Sequence, residues 1–88
     1  MITEMDAKNK AGVLFVDYYG RGFVRKNISR LGTGIIKKKG TIQVDFELFE
    51  KDIETYPTLF EANDEEHYGD VIFSVLVDLK TGSTQILN

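Results

Sequence analysis

The chain has 88 residues, a formal net charge of −3, 42% apolar residues and no cysteine. Such a length holds one hydrophobic core, the apolar fraction argues against disorder, and the absent thiols exclude disulfides, thiolate zinc sites and cysteine nucleophiles. The net charge hides a division: residues 20–40 carry seven Lys and Arg with no carboxylate, whereas residues 45–70 carry ten carboxylates against Lys51 alone.

In chain order, residues 1–11 are polar with scattered apolar side chains and read as an N-terminal tail or one short helix, leaving 12–88 as a single β-rich domain. Residues 12–19, "GVLFVDYY", are rich in β-branched and aromatic types, which predicts a strand covered on both faces. Gly20 permits a turn, and 21–26 would return as a second strand. Residues 27–34, "NISRLGTG", read as a loop or a helical turn. The stretches 35–39 and 41–49 flank Gly40 as a hairpin, and the second arm has a clear period of two. There Ile42, Val44, Phe46 and Leu48 face one way, and Gln43, Asp45 and Glu47 the other. Residues 50–62 change to an acidic, helix-like spacing that Pro57 interrupts at Tyr56. Residues 70–79 again read as a central strand, and 80–83 as a turn into a C-terminal hairpin arm. The fold expectation is α+β and β-dominated: a bent antiparallel sheet or small barrel of five to six short strands, with one helical insertion at about residues 50–62.

On a strand, Arg21, Phe23 and Arg25 would share one face. An exposed Phe23 between two guanidinium groups would stack a nucleic-acid base, and Lys26, Lys37, Lys38 and Lys39 would hold phosphates. This stretch partly resembles the basic-Gly-aromatic-Gly-Phe-Val core of RRM domains and the glycine-aromatic run of cold-shock OB-folds. Gly20, Gly22, Phe23 and Val24 match that core. Tyr19, Arg21 and Lys26 stand where a basic residue and two aromatics belong, so the resemblance assigns no family. The "GTG" at 32–34 precedes a β-like run rather than a helix, which points to a turn, not a phosphate loop.

Catalytic and metal constellations are not visible in the sequence. One His, no cysteine and no nucleophile elbow leave no triad, and the acidic run 63–70 around His67 lacks the ligand spacing of calcium or zinc sites. No cofactor is implied and no enzyme is expected. Apolar runs are too short to span a bilayer and no signal-peptide pattern opens the chain, so a cytoplasmic protein without membrane contact is expected.

The expected function is a small non-catalytic binding protein, of inhibitor or regulator type. It would grip a basic protein surface through Asp45, Glu47, Glu50, Asp52 and Glu54, whose carboxylates suit arginine forks. The alternative is an OB-like barrel binding single-stranded nucleic acid through residues 19–39. Self-association through the two charge blocks is a third course.

Overall fold

The computed structural model describes residues 1–55 and 69–87. Two helices precede an antiparallel sheet: α1 (Glu4–Tyr19), α2 (Arg21–Asn27), a 3-10 turn (Ile28–Arg30), β1 (Leu31–Lys38), β2 (Thr41–Phe49), a second 3-10 turn (Ile53–Thr55), β3 (Gly69–Asp78) and β4 (Thr84–Ile86). The strands lie in the order β1-β2-β3-β4, each antiparallel to its neighbour, and the sheet does not close. The fold is α+β with four strands among the described residues; the five to six strands and the barrel are not found.

The difference begins at the N-terminus, where the stretches expected as strands at 12–19 and 21–26 are helical. Thr3 caps α1: its hydroxyl accepts from the Asp6 amide at 3.1 Å, and the Asp6 carboxylate accepts from the Thr3 amide at 3.1 Å. This reciprocal box satisfies two amide donors that a helix start otherwise leaves to water. Downstream, Ala7, Ala11 and Phe15 recur every four residues on the buried side. Burying that stripe outweighs the strand preference of the valines and aromatics around it. Gly20 then ends α1 and opens α2 with φ of +91° and ψ of 153°, a backbone conformation reserved in practice for glycine.

The helices cover one face of the sheet. Phe15 stacks on Phe46 with ring centroids 4.4 Å apart and planes within 4°. Phe73, Val44, Val75 and Val77 are fully buried beneath. In β2 the period of two holds, with Ile42, Val44 and Phe46 buried and the residues between them half-buried. The loop expected at 27–34 is shorter than foreseen, because β1 starts at Leu31 and takes Gly32 and Gly34 into the strand. Of the insertion expected at about 50–62, residues 53–55 form a 3-10 turn. Residues 56–62 and the acidic run through His67 lie outside the described residues.

Between Phe46 and Glu47 the pairing to β3 shifts: Phe46 faces Phe73, Glu47 faces Val71, and Ile72 is the extra residue of a bulge. The Tyr19 hydroxyl donates to the Ile72 carbonyl at 2.7 Å, so the bulge keeps its polar group satisfied. Among the described residues no helix is long and apolar enough to cross a membrane.

Candidate functional site

The second face of the sheet is left uncovered by α1 and α2. Strand alternation and register bring onto it Gly34, Ile36 and Lys38 from β1, Gln43, Asp45 and Glu47 from β2, Val71, Ser74 and Leu76 from β3, and Gln85 from β4. Asp45 stands at the middle. Its Oδ1 accepts from Ser74 Oγ at 2.7 Å and from Gln43 Nε2 at 2.9 Å, and Gln43 Oε1 in turn accepts from Lys38 Nζ at 3.0 Å. Ser74 is buried, so this carboxylate is anchored from the next strand rather than carried on a free side chain.

Aliphatic groups flank the acidic centre. Ile36 and Val71 are exposed, at 44% and 45%, and Leu76 is half-buried beside Gln43. Thr41, Leu76, Asp78 and Gln85 border a shallow depression of about 250 Å3 at the β4 side. Asp78 accepts from the amides of Lys80 and Thr81 at 2.8 and 3.1 Å, and these bonds hold its carboxyl below the usual value.

The five acidic residues singled out in the sequence fall into two groups. Asp45 and Glu47 share the uncovered face, half-buried, two residues apart on β2. Glu50, Asp52 and Glu54 are exposed at its end, where Asp52 Oδ1 accepts from Ser29 Oγ at 2.7 Å. Phe49, at the end of β2, lies half-buried over two glycines: a Cβ on Gly69 would sit 2.9 Å from its ring, and one on Gly32 3.0 Å.

The cationic stretch does not form one surface. Arg21, Phe23 and Arg25 lie on helix α2, not on a strand. Arg21 and Arg25 still share a side at a spacing of four, but Phe23 points away from both. It is half-buried and stacks on Tyr19 with centroids 4.7 Å apart, which removes the aromatic from between the guanidinium groups. Lys26 is exposed on α2, whereas Lys37 pairs with Glu4 at 3.1 Å in the first turn of α1. Since α2 follows the far end of α1, roughly 20 Å of helix separates the α2 cations from those at Lys37, Lys38 and Lys39.

Sequence reasoning missed Ser74 and Gln43 as the partners that fix Asp45. The period-two reading of β2 put Gln43 and Asp45 on one face, but Ser74 arrives from 29 residues away. Among the described residues no group of three His, Cys, Asp or Glu side chains could hold a metal ion. Comparison with protein-family models, curated proteins and solved structures found no significant match.

Proposed function

We propose that this chain is a non-catalytic binding protein that docks on a basic protein surface through the sheet face opposite α1 and α2. Asp45 and Glu47 are the central contacts, Glu50, Asp52 and Glu54 form the rim, and Ile36 and Val71 supply apolar area. The observation that carries this reading is the anchoring of Asp45 by Ser74 and Gln43 in the middle of the face that α1 and α2 leave open. A carboxylate already held in place loses little side-chain freedom when an arginine or lysine meets it, so less of the interaction is spent on ordering. Charge complementarity of this kind acts mainly on encounter rate and partner choice, while the aliphatic neighbours exclude water.

The test is an NMR titration of the 15N-labelled chain with an oligoarginine peptide and, separately, with a mixed-sequence single-stranded oligonucleotide. Peptide shifts concentrated at residues 43–47 and 71–76, reduced by salt and by the Asp45→Asn, Glu47→Gln double variant, are expected. Oligonucleotide shifts on α2 without peptide shifts on the sheet would overturn the reading in favour of nucleic acid.

A further inference from the structure

Among the described residues the sheet has two edges, and they are treated differently. At the β4 side the edge is blunted. β4 has three residues, and the bulge at Ile72 carries its carbonyl to the Tyr19 hydroxyl. Short strands and bulges are the usual protections against sheet-to-sheet pairing. The β1 edge has neither. It is eight residues long, without proline, and carries no charge from Leu31 to Ile36.

The direction of its backbone groups follows from the ladder. The Leu79 amide donates to the Gly40 carbonyl at 3.0 Å, so the even-numbered residues of β2 turn their backbone groups toward β3 and the odd-numbered ones toward β1. Thr41, Gln43, Asp45 and Glu47 pair with Lys38, Ile36, Gly34 and Gly32. The amides and carbonyls of Thr33, Ile35 and Lys37 and the carbonyl of Leu31 therefore point out of the sheet, while the Leu31 amide is taken by the Ile28 carbonyl. These four positions are symmetric about Gly34.

We infer that β1 is the seam of a homodimer, in which two copies pair their β1 strands antiparallel about a two-fold axis at Gly34. Thr33 then pairs with Ile35 of the second copy through both of its backbone groups, and the Lys37 amide meets the Leu31 carbonyl of the second copy, while the Leu31 amide stays on Ile28. Gly34 meets Gly34 at the axis, where the absence of side chains suits the close approach of a non-hydrogen-bonded pair. The ends are complementary in charge. Antiparallel pairing brings Lys37, Lys38 and Lys39 of one copy to the Leu31 end of the other. Asp52 is fixed there by Ser29, with Glu50 and Glu54 beside it, while Arg30 at that end is turned to the Asn27 side chain. The axis stands perpendicular to the sheet, so the dimer extends the sheet without covering the Asp45 face. Asp45 and Glu47 stay open for docking, whereas the rim carboxylates Glu50, Asp52 and Glu54 would be shared with the lysines of the second copy.

The experiment is a concentration series by sedimentation equilibrium on the full chain and on Thr33→Pro. The outward Thr33 amide makes no ladder bond within one copy, so proline there is compatible with an edge strand but blocks pairing. The expected result is a wild-type mass rising from 10.0 kDa toward twice that value, and a dissociation constant raised about tenfold or more in Thr33→Pro. Thr33→Lys provides the same readout should the proline variant not fold. Amide exchange at residues 33, 35 and 37 should slow as concentration rises. A wild type that stays at 10.0 kDa throughout overturns the inference. So does a folded Thr33 variant that dimerises as tightly as the wild type.

Discussion

The Tyr19 hydroxyl, at the end of α1, donates at 2.7 Å to the carbonyl of Ile72, the extra residue of the β3 bulge. One side chain thereby ties the last turn of the helix to the one irregularity in the β2–β3 ladder. Its ring continues the contact, lying against Phe15, Phe23 and Phe73. Helix position and bulge position are in this sense one feature.

Tyr19→Phe keeps the ring and removes the bond, leaving the Ile72 carbonyl without its donor. A loss of about 1 kcal/mol is expected, read from urea midpoints. The change also carries a pH signature. Burial, with a smaller contribution from Tyr18, raises the Tyr19 hydroxyl above its ordinary value of 10.0. A raised folded value means stability that is complete below 10.0 and lost as pH rises through the folded value. The wild type should therefore weaken in strong alkali more steeply than Tyr19→Phe; parallel alkaline curves would contradict this.

Gly20→Ala tests the break between the helices. No atom lies within 4 Å of the added Cβ, so the cost comes from the backbone at φ +91° alone. Destabilisation of about 1–3 kcal/mol is expected in urea unfolding, without change in m-value. A neutral outcome would show that α1 and α2 can rejoin differently.

Gly69→Ala probes the seat of Phe49. Its Cβ would come within 2.9 Å of the ring, so about 1–3 kcal/mol of overpacking is expected. In Phe49→Leu the same substitution should cost markedly less, and a double-mutant cycle measures the difference. Additive costs would mean that the ring and the glycine do not meet.

Thr3→Ala removes the hydroxyl half of the α1 cap, keeps the backbone amide that donates to Asp6, and should cost about 1 kcal/mol at neutral pH. The bonds from Thr3 hold the Asp6 carboxyl below its ordinary value of 3.8. A lowered folded value gives stability that is present above 3.8 and lost as pH falls through the folded value. The bond from the backbone amide, the larger cause of that lowering, persists in Thr3→Ala. The gap between wild type and variant should therefore narrow in acid only by the share of the hydroxyl. A constant gap down the acid range would assign the cap to the Thr3 hydroxyl alone.

The β1–β2 hairpin, the identity of β3 and the two faces of β2 were legible before any tertiary contact was known. These depend on local chemistry: Gly40 at a positive φ, side chains alternating every residue, and β-branched runs long enough to register. The division of charge was also legible, down to Asp45 and Glu47 sharing a face. Residues 12–26 were not legible as helix, because valine and aromatic side chains satisfy a strand and a buried helix stripe equally well until the opposing surface is known. The local signals were the Thr3–Asp6 box and the spacing of Ala7, Ala11, Phe15 and Tyr19, and Gly12 in the middle of that spacing obscured them. That this stripe lies on Phe46 and Phe73 follows from the packing of α1 on the sheet. With one sheet face so covered, the sheet stays open. Phe23 is drawn onto Tyr19, the cations part to opposite ends of α1, and Asp45 receives Ser74 from a strand that local pattern could not bring to it.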